Sequence, residues 1–282
     1  MLGAAMAVVG RTGLTVSLDH ISLEDVIRDA RVSRSAAYRR WPYKDLFFAD
    51  LLRALARATN LGTIVEDEGA DLVDSVLREG LDRLSTAQSR HDLVVELVRQ
   101  GALHDFDTVY RSTAWRTYFA LHATFIGLPV GDLRNEVQAA LAASEVAFTD
   151  RISRSYQRLS ALLGYRLRPG NGITFDSLAS LVLASLTGHV VKALAAPETA
   201  TRHFQASPFG SAQAGEWSLP AIGLGAIAWA VLEPDPDVDW SAERIAWVRS
   251  IVGVQRQVTV SDATTDPPGR QEDSLEHRSH ER

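Results

Sequence analysis

Residues 22–46, SLEDVIRDARVSRSAAYRRWPYKDL, read as two short helices joined by a tight turn and followed by the start of a third. Ser22 stands as an N-cap ahead of Glu24 and Asp25, whose carboxylates suit the positive end of a helix dipole. Leu23, Val26, Ile27 and Ala30 supply the i, i+3, i+4, i+7 spacing of one buried face. Ser33 caps a second helix with Ala36 or Ala37 and Trp41 as its inward positions. Pro42 disfavours the α conformation at Trp41 and so ends that helix after barely two turns. A helix this short gains little stability alone, so its neighbours must hold it while Arg34, Ser35, Tyr38 and Arg39 stay available to a partner. Between residues 28 and 44 six basic side chains (Arg28, Arg31, Arg34, Arg39, Arg40, Lys44) stand against one acid, Asp29. That excess suits phosphate, and the pattern is that of a helix-turn-helix.

The run VSRSAAYRRWPYKDLF, residues 32–47, resembles the recognition helix and following helix start of the TetR-type (tetracycline-repressor-like) transcriptional regulators, whose usual pattern is close to VS(R/K)xxxYRHFPSKxxLF. The resemblance covers about 45 residues. It implies an all-α protein: an N-terminal three-helix helix-turn-helix DNA-binding domain over residues 1–48, then a larger helical ligand-binding and dimerisation domain over 49–256. It puts Arg34, Ser35 and Ala36 at base edges and Tyr38, Arg39, Arg40 and Lys44 at phosphates, with the capping Ser22 and Ser33 in the same DNA-binding set. Arginine to guanine is the commonest specific base contact, and phosphate contacts set register and most of the affinity. The implied partners are a double-stranded DNA operator, a second copy of the chain and a small-molecule effector.

The chain departs from the family pattern at four places. Ile27 stands where the family has a small Ala, and Arg31 where it has a turn Gly. A turn residue at positive φ is costly for a side chain with a Cβ, so a slightly remodelled turn is expected. About four extra residues lie between Gly13 and Ser22. The first helix, LGAAMAVVGRTG, begins at Met1, so either the minor-groove arm is lacking or the start lies upstream.

Composition sets the outer limits. The 282 residues, 46% of them hydrophobic, suit a soluble globular protein of one large or two modest domains. The absence of cysteine removes disulfides, thiol catalysis and Cys-based metal sites, and fits a reducing cytoplasm. The N-terminus lacks the basic region of a signal peptide, and residues 219–232 are too short to span a bilayer, so no membrane is expected. Only Lys44 and Lys192 are lysines. Residues 1–60 carry a net charge of +3 and the remainder −9; a basic head on an acidic body directs nucleic acid to one end.

The body reads as successive helices: Asp45 to Ala58 with Leu46, Ala49, Leu52 and Leu55 inward, then Asp71–Leu84, His91–Leu103, Thr108–Ile126, Asp132–Leu163 and Phe175–Leu194. The resemblance implies that residues 132–163 and 175–194 pair with a twin in a four-helix bundle; core of a monomer is the alternative. Residues 197–218 read as a loop, followed by helices at Pro220–Leu232 and Ser241–Val254 and a disordered polar tail over 257–282. Trp115, Tyr118, Phe119, His122 and Phe125 recur at helical spacing and form a candidate ligand-binding stripe, ordinary core being the alternative.

Enzyme motifs are absent: no HExxH, GxSxG or phosphate loop, and the GLG at 223–225 does not continue as GxGxxG. No catalytic residue, cofactor or resident metal is expected. His277 and His280 with Glu276 and Glu281 read as solvated tail charge, and Asp235, Asp237 and Asp239 as solvent-facing. The expectation is a cytoplasmic, ligand-responsive regulator, with repression implied by the resemblance. A small-molecule-binding or protein-interaction module with degenerate DNA-binding function is the alternative.

Overall fold

Side-chain caps set the boundaries of the first helices. The computed structural model describes residues 1–14, 21–58 and 66–262. After α1 (Leu2–Thr12) comes α2 (Leu23–Asp29), where the Ser22 hydroxyl accepts from Asp25 N–H at 3.3 Å. In α3 (Arg34–Arg40) the Ser33 hydroxyl accepts from Ala36 N–H at 3.3 Å. Trp41 N–H closes the last turn onto Ala37 C=O at 2.8 Å, and Pro42 follows. Between these helices Arg31 takes φ 53°, in the left-handed region. Arg31 N–H bonds Arg28 C=O and Val32 N–H bonds Ile27 C=O, so the turn closes although it lacks a glycine. The bulky Ile27 is buried in the core beneath.

That core gathers Ala5 and Val9 of α1, Val26 and Ile27, Ala37, and Phe47, Leu51, Leu52 and Leu55 of α4 (Lys44–Ala58). Leu46, expected to face inward, is 49% exposed; its neighbour Phe47 takes the inward place. The same core continues into Leu121, Val137 and Leu141. These belong to α7 (Thr113–Ile126) and α8 (Asp132–Leu163). Arg53 fastens α4 to α8 through Glu136, Nε to Oε2 at 2.7 Å.

The second core is built from α5 (Glu66–Gly80), a 3-10 helix (Leu81–Ser85), α6 (Ala87–Arg111), parts of α7 and α8, and α9 (Phe175–Ala195). The stretch expected as a helix from Thr108 divides at Ser112, whose hydroxyl caps α7 by accepting from Trp115 N–H at 3.3 Å. α9 is long and apolar enough to cross a bilayer by length and composition alone. Here its Leu178, Ala179, Val182, Leu186, Val190 and Ala193 are buried, and it packs against α8 and α11 (Leu219–Val231).

The expected loop at 197–218 holds a short helix, α10 (Glu198–Thr201), and an antiparallel hairpin of β2 (His203–Ala206) with β3 (Gly215–Ser218). Trp217, 1% exposed, anchors the hairpin in the second core and supplies the burial that offsets its ordering. Its turn carries Phe209 at φ 60°, and Gly225 of α11 leaves room for the Phe209 ring: a Cβ there would stand 2.7 Å from the ring. β1 (Tyr165–Leu167) pairs with β4 (Leu232–Pro234), Tyr165 opposite Pro234 and Leu167 opposite Leu232. Arg166 lies within 3.5 Å of Glu233, Asp235 and Asp237, so Asp235, expected to face solvent, is half-buried in an ion-pair cluster.

The last helix, α12 (Ala242–Asp262), continues five residues beyond Gln257, where the polar tail was expected to begin. Extending an existing helix adds one backbone bond for each residue fixed, so polarity alone does not stop it. Residues 263–282, with His277 and His280, lie outside the described residues.

The left-handed Arg31 gives the first prediction. An L-residue there carries about 1–2 kcal/mol of strain that glycine escapes. Arg31→Gly is therefore expected to stabilise the protein by about 1 kcal/mol, read as a higher urea midpoint at unchanged slope. A lower midpoint would show that the Arg31 side chain outweighs the strain.

Candidate nucleic-acid interface

α3 is held by its smallest residue. Ala37 is its buried position, while Arg34, Ser35, Tyr38, Arg39 and Arg40 face solvent and Ala36 is half-buried. The half-buried Trp41 ties the end of the helix to α4. Its ring meets Phe47 edge-on at 5.3 Å, and its Nε1–H donates to Asp50 Oδ2 at 3.0 Å. Lys44 is exposed at the start of α4, its Nζ 4.9 Å from the Phe48 ring centre. Ser22 and Ser33 use their hydroxyls as caps. The sequence-derived set is thus brought to one short helix and its two flanks.

One acid intrudes on this surface. Glu24 of α2 accepts from the Tyr38 hydroxyl at 2.8 Å and pairs with the Arg34 guanidinium at 2.8 Å. The hydrogen bond to Glu24, reinforced by its charge, raises the Tyr38 phenol above its ordinary value. Glu24 therefore links α2 to α3 and occupies two groups facing outward. From sequence alone Glu24 reads only as a partner of the helix dipole. Its reach across 14 positions to Tyr38 depends on how the two helices are juxtaposed.

The aromatic stripe lies within α7. Trp115 and Tyr118 are buried, and Phe119, His122 and Phe125 half-buried. Trp115 meets Tyr118 edge-on at 5.5 Å and Phe148 at 5.7 Å, but its Nε1–H is buried with no hydrogen-bond partner among the described residues. The His122 ring lies 4.2 Å from that of Tyr118, and its Nε2 is 4.0 Å from Glu145. Burial lowers the His122 pKa and raises that of Glu145, favouring the neutral form of each. Phe125 belongs instead to the first core, under the Arg134 guanidinium. The stripe is thus divided between two cores. A cleft of about 180 Å³ opens elsewhere, between α5, α6 and the β2–β3 hairpin.

Two acidic groups of the body escaped the sequence reading. Burial pushes the Asp105 carboxyl up to about 6, with His104 opposing, and the Tyr156 phenol rises through burial and the nearby Asp105. Among the described residues no group of three or more His, Cys, Asp or Glu is placed to hold a metal.

Asp105 carries a pH prediction. With a folded pKa above the unfolded one, the folded state binds the extra proton, so this residue's contribution falls as pH rises from about 4 to about 6. Asp105→Asn is expected to stabilise the protein at pH 8 by up to about 3 kcal/mol and to change little at pH 4. Equal effects at both pH values in chemical denaturation would contradict it. No family model matches the chain, and a search of the curated proteins finds no significant match.

Proposed function

We propose that the chain is a DNA-binding, ligand-responsive transcriptional regulator of the TetR type, a soluble cytoplasmic homodimer released from its operator by a small molecule. The observation that carries this reading is α3: a capped, Pro-terminated helix secured by Ala37 that offers Arg34, Ser35, Tyr38, Arg39 and Arg40 to solvent. Such a helix fits the major groove, with Arg34, Ser35 and Ala36 at base edges and Tyr38, Arg39, Arg40 and Lys44 at phosphates. In a dimer two such helices would enter successive grooves about 34–36 Å apart.

The surfaces of α8 and α9 support the dimer. Ala139, Ala142, Ala143, Val146 and Ala147 form an exposed stripe on α8, and Leu181, Ala184, Gly188 and Val191 another on α9. Small residues allow close helix approach, and the apolar ones gain by removal from water. A second copy of the same pair supplies matching cover in a four-helix bundle. Trp115, Tyr118, Phe119, His122 and Phe125 remain the candidate effector residues, supported by the unpartnered Trp115 N–H, which an acceptor on a ligand would satisfy. An effector acts only to the extent that it prefers one arrangement of the two heads.

Glu24 favours a second reading, a small-molecule-binding or protein-interaction module whose DNA function has degenerated, because it engages both Arg34 and Tyr38. Duplex binding separates the two. Using DNA flanking the gene at low salt, Arg34→Ala is expected to cost ~1–3 kcal/mol and to relax one base preference. Lys44→Ala should weaken all sequences alike and reduce the salt slope by about one. Glu24→Gln should tighten binding several-fold at low salt by removing a negative charge from the interface. Absence of duplex binding, or indifference to Arg34→Ala and Tyr38→Ala, would favour the second reading.

The dimer is tested by light scattering at micromolar concentration. The wild-type chain is expected at twice the monomer mass, and Leu181→Arg with Val191→Arg at monomer mass without loss of helicity. A monomeric wild-type chain would remove the bundle.

A further inference from the structure

Arg34 and Tyr38 stand four residues apart on α3, so they share one face of the helix. Glu24 reaches that face from the start of α2 and meets both with one carboxylate. Its Oε1 accepts from the Tyr38 hydroxyl at 2.8 Å, and its Oε2 lies 2.8 Å from Arg34 Nη2. Oε2 is closed off from solvent. The two oxygens thus tie two outward side chains of α3 to the neighbouring helix.

The contact holds Arg34 without using up its donors. A guanidinium has five N–H groups, and among the described residues Arg34 donates none of them in a hydrogen bond. Its contact with Oε2 is charge pairing without hydrogen-bond geometry. The Arg34 side chain stays 76% exposed, so its N–H groups remain open to a partner outside the chain. The next arginines along α3 are placed differently. Arg39 makes no ion pair among the described residues, and Arg40 approaches Asp50 only at 3.9 Å. The close acid is set at the arginine that the DNA-binding reading puts against a base edge.

A carboxylate beside a guanidinium treats two kinds of target differently. A phosphate meets repulsion from Glu24 together with attraction to Arg34. A guanine edge offers the neutral acceptors O6 and N7, which can take two donors from one guanidinium. Holding the side chain beforehand also removes part of the rotamer freedom that binding would otherwise have to remove.

We propose that Glu24 is a positioning residue for sequence discrimination: it holds Arg34 for a guanine edge and disfavours its use on phosphate. The inference rests on the DNA-binding reading, and gives the intruding acid a role within it.

The test measures binding of the full chain to two duplexes by fluorescence anisotropy: one selected from random sequence by the wild-type chain, the other a scrambled duplex of the same composition. Glu24→Gln is expected to lower the ratio of the two affinities about threefold, the scale of an exposed ion pair, the scrambled duplex gaining the more. The salt slope on the scrambled duplex should steepen by about one as Arg34 becomes available to phosphate. In an Arg34→Ala background the same change should leave the ratio as it is, because the effect passes through Arg34. Both side chains lie at the surface, so the variants should keep wild-type circular dichroism. An unchanged ratio in Glu24→Gln, or an equal fall in the Arg34→Ala background, would overturn the inference and leave the DNA-binding reading standing. Failure of the folded wild-type chain to select any duplex would remove that reading and this inference with it.

Discussion

Helix α8 is shared between two hydrophobic cores, and the rest of the molecule is arranged around that fact. Its Val137 and Leu141 lie in the core beneath α2 and α3, while Phe148 and Leu163 lie in the core of the body. α7 is shared in the same way, through Leu121 at one end and Trp115 and Tyr118 at the other. The N-terminal helices therefore do not hang from the body by a linker. Close-packed interiors transmit displacement because they have few voids to absorb it. A domain boundary at residue 48 would fall within α4, whose Leu51, Leu52 and Leu55 belong to the first core.

The surface at α3 shows the opposite economy. One alanine holds it from beneath, and Glu24 holds two of its outward side chains from the flank. Exposed pairs of this kind contribute little to stability, so the importance of Glu24 lies in orientation. It presents Arg34 and Tyr38 in defined positions and imposes an electrostatic cost on any anion approaching them. A surface designed only for phosphate would have no carboxylate there.

Much of the architecture was legible from local chemistry. Ser22, Ser33 and Pro42 marked α2 and α3 because capping and proline stereochemistry act within a few residues, and the spacing in 132–163 delimited α8. What was not legible depends on contacts distant in sequence. The break at Ser112 is invisible to periodicity because buried positions continue on both sides of it, Phe106 and Val109 before and Trp115 and Tyr118 after. The hairpin at 203–218 is composed of turn-like residues, and its anchor, Trp217, acquires meaning only when the body core is assembled. The β1–β4 pair joins residues more than 60 positions apart. For the candidate interface, sequence located the basic residues but not Glu24's grip on them; for the cleft it offered no signal, since Arg83, Arg99 and Trp217 come from three elements that only the tertiary fold brings together.

The length of α8 has a mechanical consequence. At about 1.5 Å per residue its 32 residues make a rod about 48 Å long. It runs from the core under α3 past the Ala139–Ala147 stripe to the turn before β1. A rigid rod of that length converts angle into travel. A tilt of about 5° at one end displaces the other by about 4 Å, more than the length of a hydrogen bond. Whatever fixes the angle of α8, whether a neighbour on its apolar stripe or the packing of Phe148 beside Trp115, also sets where the short helices at its far end come to rest.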